Sequence, residues 1–203
     1  LYRQKQHLGI FLENGRLSEQ DCKNLVTVGC RAGEFAWVKK MLNENKKVLS
    51  PAIREAAFSY NMAYLLHAQG DYKSAWEQLK STEKVAENLF YELDYRALTL
   101  RICYELSGDY LYFQHFIAAK DACLKYLDRR QEGDSKKVAS HKSFIRFISA
   151  LERIKNGKAR NIGSKADALL EKMAKTHAKQ AVAYITWLRK KVLELGSIAD
   201  SSD

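Results

Sequence analysis

The chain has 203 residues, of which 46% are hydrophobic and 29% charged, and a formal net charge of +10 at pH 7. This is the composition of a soluble folded chain, and no apolar run approaches the length that spans a bilayer, so no membrane partner is expected. One proline, Pro51, and little strand-type alternation predict an all-α fold of long helices with few breaks.

Leu1 opens the chain where a methionine would open a gene product, and no signal-peptide pattern follows it. The chain is therefore expected to be an excerpt of a longer protein. Residues 1–18 begin with an apolar-periodic piece, His7 to Leu12, expected to be the end of an upstream helix, followed by a loop at Glu13-Asn14-Gly15-Arg16. Ser18 is placed as an N-cap, with Asp21 in an acidic first turn.

Residues 19–128 then read as three helical hairpins. The first helix, 19–31, would turn Cys22, Leu25, Val26 and Val28 inward. It breaks at Ala32-Gly33-Glu34-Phe35 and returns through Trp37, Val38, Met41 and Leu42 to about Asn45. Ser50-Pro51 restarts the chain with proline at the first helical position, where no N–H is missed. The second hairpin is the clearest. Met62, Ala63 and Leu66 precede Gly70, placed as a left-handed residue that ends a helix. Asp71 caps the next helix, which carries Tyr72, Ala75 and Leu79. Ala75 lets the two helices approach closely. The third hairpin starts near Asn88, passes Leu98, Ile102 and Leu106, turns at Ser107-Gly108-Asp109-Tyr110, and returns with Phe113, Phe116, Ile117 and Leu124 to Asp128.

A polar loop, Arg129 to Ser135, leads into residues 129–196, a basic helical part. A fourth pair is placed at Lys136 to Lys155 and Ser164 to Lys175, turning at Asn156-Gly157. A last helix, about 177–195, would show Ala181, Tyr184, Ile185, Leu188 and Val192 on one face. Residues 197–203 are expected to fray. The corner glycines fall at 33, 70, 108 and 157, with steps of 37, 38 and 49 residues. Recurrence of a helical hairpin at this period is the signature of a solenoid.

Aligned on Gly70, the second hairpin resembles a tetratricopeptide repeat. Met62-Ala63 stands where that family prefers Leu-Gly, Tyr72 at its aromatic position, Ala75 at its small packing position and Leu79 at an apolar one. The units around Gly33 and Gly108 are degenerate versions, and the fourth hairpin matches only in being helical. The stretches VTVGCRAGEFAWVKKML, SYNMAYLLHAQGDYKSAWEQL, LFYELDYRALTLRICYELSGDY and HKSFIRFISALERI also resemble a family of bacterial tetratricopeptide-like proteins. The resemblance spans about residues 15–155 and implies a right-handed α-α superhelix of about four hairpins plus a terminal helix. It implies no activity, because fold-level analogy carries no reaction with it.

In such a solenoid the first helix of each hairpin lines the inner surface. The candidate partner-binding groove is then Lys23, Asn24, Thr27 and Arg31 from the first unit, and Tyr60, Asn61, Tyr64 and His67 from the second. The tyrosines offer an apolar ring and a polar tip to a peptide. Some domains of the family the chain resembles hold a partner's C-terminal carboxylate with a clamp of Lys and Asn on this face. Lys23 and Asn61 occupy two of its positions, while Thr27, Tyr95 and Thr99 replace the Asn, Lys and Arg that a clamp uses.

Charge is uneven. Residues 1–128 hold 17 Lys+Arg against 16 Asp+Glu, and residues 129–203 hold 17 against 8. The basic patch of the last third is Lys136, Lys137, Lys142, Arg146, Arg153, Lys155, Lys158 and Arg160, continued by Lys165, Lys172, Lys175, Lys179 and Arg189-Lys190-Lys191. Phe144, Phe147, Tyr184 and Trp187 are interleaved with it. Nucleic acid would be met by the cations on phosphate and the rings on bases. The same rings share helical spacing with Ile145, Ile148 and Leu151, which is first a core stripe, and the cations are first a solvated face.

Cys22, Cys30, Cys103 and Cys123 form no Cys-x-x-Cys pair and read as reduced thiols in helix packing, consistent with a reducing, cytoplasmic setting. The five histidines are scattered, and no metal-binding, phosphate-loop or nucleophile motif occurs, so no cofactor and no catalysis are expected. The expectation is a non-enzymatic protein-interaction scaffold. The alternatives are a nucleic-acid-binding helical repeat led by the basic third, and a purely structural arc of a longer solenoid.

Overall fold

The structure is a computed structural model that describes residues 12–13, 16–52, 54–80, 89–129, 135–157 and 161–200. These residues are helical apart from one small hairpin and the links between helices. Strand β1, Leu12–Glu13, pairs antiparallel with β2, Arg16–Leu17, with Leu12 opposite Leu17. The helices are α1 (Glu19–Arg31), α2 (Phe35–Asn45), α3 (Arg54–Gln69), α4 (Tyr72–Lys80), α5 (Leu89–Leu106), α6 (Tyr110–Arg129), α7 (Ser135–Asn156), α8 (Ile162–Lys179) and α9 (Ile185–Asp200). A short 3-10 turn, Lys46–Val48, follows α2. The chain divides into two compact units, 1–102 and 103–203, with the boundary inside α5.

In the first unit, local chemistry sets the helix ends. The Ser18 hydroxyl accepts from the Asp21 N–H at 3.0 Å and donates to the Asp21 carboxylate at 2.6 Å, which fixes the start of α1. Gly33 and Gly70 take left-handed φ values of 74° and 84° at the two corners. Asp71 accepts from the Ser74 N–H at 3.1 Å and starts α4. Helices α3 and α4 pack together, and Ala63 and Ala75, whose side chains end at Cβ, are both fully buried. The core of α1 to α3 is built from Cys22, Leu25, Val26, Val38, Met41, Leu42, Ala57 and Leu65. Leu17 of β2 and Leu49 close it from one side through an isolated parallel bridge.

Several expectations shift by a residue or an element. Leu12 lies in a strand rather than at a helix end, and residues 1–11 of that expected helix lie outside the described residues. Pro51 sits in a turn ahead of α3 rather than at its first position. Arg54 holds that turn instead, donating to the carbonyls of Lys47 at 3.0 Å and Leu49 at 3.2 Å. Met62 and Leu66 are half-buried, and Leu65 takes the core position between them. On α1, Gly29 takes the buried position expected of Val28.

In the second unit α7 is the central element. Val138, Phe144, Ile145, Phe147, Ile148 and Leu151 are all buried. Phe116, Cys123 and Leu127 of α6, Leu169 and Met173 of α8, and Leu188 and Val192 of α9 are buried with them. The expected helix break near Lys175 lies further on. α8 runs to Lys179, Gln180 is extended, and Tyr184 has a left-handed φ of 54° before α9 begins. Ala181 is exposed, and Val182 is the buried residue of the link. The link is held by bonds from the Gln180 amide to Ser143 Oγ at 2.7 Å and from the Ala183 N–H to the Ser140 carbonyl at 3.3 Å. α9 continues to Asp200, through the start of the tail expected to fray.

Candidate functional site

The first helices of the first unit are α1, α3 and α5. Lys23 of α1 makes an ion pair with Asp94 of α5, and both side chains are largely buried. Arg101 of α5 lies over the Tyr64 ring of α3, with the guanidinium carbon 5.6 Å from the ring centre. Side chains thus tie the three first helices together on one face. Asn61, fully buried on α3, donates to the Ala57 carbonyl at 2.8 Å, with Cys22 Sγ at 3.7 Å. Tyr60 is buried, and burial holds its phenol well above the usual tyrosine range. His67 is buried edge-on to Tyr72, with ring centres 5.5 Å apart.

The eight candidate groove residues therefore separate into two sets. Lys23, Tyr60, Asn61 and His67 serve packing and internal pairing. Asn24 and Arg31 are exposed, and Thr27 and Tyr64 are half-buried. Asn24 also accepts from the Gln20 amide at 3.0 Å. The two clamp positions, Lys23 and Asn61, are both in the inward set. Thr99 turns its hydroxyl onto the Tyr95 carbonyl at 3.0 Å, within its own helix. Sequence reasoning missed Asp94 as the partner of Lys23. The two are 71 residues apart, and no local pattern couples them.

The basic patch of the second unit separates in the same way. Lys155 points inward and donates to the carbonyls of Tyr104 at 2.7 Å and Glu105 at 3.1 Å, so it caps the C-terminal end of α5. Burial lowers its pKa from the usual lysine value. Asn156 adds a bond to Ser107 Oγ at 2.9 Å. Lys191 is buried and pairs with Glu105 at 2.7 Å and Glu194 at 2.8 Å. Burial raises the Glu105 carboxyl, against the opposing pull of Lys191.

Lys142 is half-buried and pairs with Asp128 at 2.7 Å. Lys136 and Arg153 are exposed, and Lys137 is half-buried. Lys158 and Arg160 lie outside the described residues. Arg146 is exposed. It lies 4.8 Å over the Phe147 ring and donates to Thr176 Oγ1 of α8 at 3.4 Å. Beside it, a surface cleft of about 440 Å³ is lined by Arg146, Lys172, Lys175, Thr176, Lys179 and Gln180, with Ala168 and Glu171. Of the interleaved rings, Phe144 and Phe147 are buried, and Tyr184 and Trp187 are half-buried. Phe144 meets Tyr184 with ring centres 5.1 Å apart, and Trp187 meets Tyr104 at 5.6 Å.

The thiols are part of the packing. All four cysteines are buried and unbridged. Burial pushes the thiols of Cys22, Cys30 and Cys103 up to about 12. Among the described residues, no group of three His, Cys, Asp or Glu side chains is placed to hold a metal ion, and no helix is long and apolar enough to cross a membrane. No protein-family model matches the chain, and no curated protein or solved structure matches it.

Proposed function

We propose that the chain is a non-enzymatic scaffold of tetratricopeptide-like hairpins, forming part of a right-handed α-α superhelix, that takes an extended protein segment along the first helices of its first unit. The observation that carries this reading is the side-chain linkage of α1, α3 and α5. Lys23–Asp94 and Arg101–Tyr64 join the three helices on one face. On the same helices Asn24 and Arg31 are exposed and Thr27 and Tyr64 half-buried, so a partner can reach all four. They supply an amide, a hydroxyl, a guanidinium and a phenol, groups that bond a peptide backbone and a carboxylate. The linkage orders the surface before a partner arrives, which lowers the entropy lost on binding. This places the contact one step outward from the eight-residue groove read from sequence, and it needs no cofactor.

The test is capture from lysate with the full chain as bait, with and without nuclease, beside the double variant Asn24→Ala/Arg31→Glu. Both positions are exposed, so the variant should keep its fold. The reading expects proteins that survive nuclease and are lost on the variant. Equal capture by the variant, or loss of every partner on nuclease treatment, overturns it.

A further inference from the structure

The cleft between α7 and α8, which Lys172 and Lys179 line, lies on a row of cations that Lys165 extends beyond it, rather than around a point. Lys165, Lys172 and Lys179 recur every seven residues on α8, so each stands only about 20° round the helix from the last. All three are exposed. At about 1.5 Å per residue they span about 21 Å of one helix face. Lys175 flanks the line, and Arg146 of α7 stands across the cleft from it, steadied by the Phe147 ring and the Thr176 hydroxyl. Two acids lie on the same helix. Glu171 is in the cleft wall and pairs with Lys175 at 2.5 Å. Asp167 is about 200° round from Lys165, on the far side of the helix.

We propose that this cleft is a contact site for the phosphate backbone of double-stranded nucleic acid. A compact anion would need donors that converge, whereas these cations run along an axis. A line of about 21 Å matches about six steps of a duplex at about 3.4 Å of helix axis per step. Lysines on long stems follow a row of phosphates as point charges, without demanding one geometry. Among the described residues the cleft lining holds no aromatic ring, and half-buried Tyr184 and Trp187 of the basic third pack against the buried Phe144 ring. Single-strand binders rely on such rings to stack bases. Contact is therefore to backbone alone and independent of sequence.

The experiment measures anisotropy of a short labelled DNA duplex with the full chain across a salt series. The triple variant Lys165→Gln/Lys172→Gln/Lys179→Gln is compared with a charge-matched control, Lys39→Gln/Lys47→Gln/Lys73→Gln, made at exposed lysines of the first unit. All six positions are exposed, and helicity by circular dichroism verifies both folds. Every phosphate that a variant no longer neutralises should lower the slope of log K against log salt by about 0.9. The cleft variant should then bind at least about tenfold more weakly at low salt and flatten the slope, while the control tracks the wild type. Equal behaviour of the two variants overturns the site. Displacement of the duplex by polyglutamate at equal charge would reassign the cleft to an acidic protein segment. Tighter binding of a single strand of the same length would overturn the duplex assignment.

Discussion

A β-carbon on Gly29 would overlap the side chains of Val38 and Trp37, so α2 sits against α1 at a distance only glycine allows. Alanine in a helix interior gains about 1 kcal/mol over glycine. Overpacking against two neighbours costs about 1–3 kcal/mol. Val38 has a stiff χ1 and full burial, so it has little room to yield. Gly29→Ala should therefore lower the urea midpoint, and a midpoint at or above wild type would show that Gly29 does not set the spacing. This role is not legible in the sequence, because a lone glycine in a helical run signals a weak helix before it signals a close approach. The cysteines are legible as packing residues. With the Cys22, Cys30 and Cys103 thiols held at about 12, almost no thiolate exists at neutral pH. A chromogenic disulfide should find no fast-reacting thiol in the native chain and all four in guanidinium. One fast native thiol would contradict the burial.

The corners test the elements. Gly33 and Gly70 hold left-handed φ, and Gly108 does not, although all three look alike in the sequence as corner glycines. Gly33→Ala and Gly70→Ala should each cost about 1–2 kcal/mol, the penalty of a Cβ in the left-handed region. Gly108 has nothing within 4 Å of an added Cβ. Gly108→Ala should be neutral or stabilise by up to about 1 kcal/mol through the unfolded chain. Equal losses at all three in thermal unfolding would erase the distinction. The α1–α2 and α3–α4 hairpins are readable because caps and left-handed glycines act within four residues. The α8–α9 break is not. Ala181, Tyr184 and Ile185 continue an apolar period, so the pattern runs through the link. Tyr184 is held left-handed against His141 and Phe144, ring centres 6.0 Å and 5.1 Å away, some forty residues earlier in the chain. The candidate groove is half legible for the same reason. Helical spacing puts eight residues on first helices, but which of them turn inward depends on Asp94 and Cys22, which belong to other elements.

For the whole molecule, the count of +10 hides two kinds of cation. Arg146, Lys172 and Lys179 face water. Lys155 and Lys191 are turned to the carbonyls and carboxylates at the end of α5. The second kind makes stability depend on pH in a direction opposite to an ordinary surface lysine pair. Burial is the main force on Lys155, with Lys191 adding to it and Glu105 and Glu152 opposing, and the net effect is a lowered pKa. Below its folded pKa, Lys155 is charged in both states, and the folded state carries the cost of burying that charge. As pH rises through the window between the lowered value and the usual 10.5, the folded chain has lost the proton that the unfolded chain still binds. Stability then rises with pH. The neutral amine still donates to the Tyr104 and Glu105 carbonyls, so the cap survives. Glu105 has the opposite slope in a separate window. Its raised carboxyl favours folding below the usual 4.5, and that advantage fades as pH climbs through the folded value. Lys155→Met keeps the aliphatic stem but removes both the charge and the cap, so it should be less stable than wild type at pH 7. Urea unfolding of both proteins at pH 7 and pH 10 should show the wild-type advantage growing at the higher pH, since groups not coupled to Lys155 cancel in the difference. An advantage that shrinks toward pH 10 would mean that the ion pairs outweigh burial at Lys155, and that the charge itself holds the end of α5.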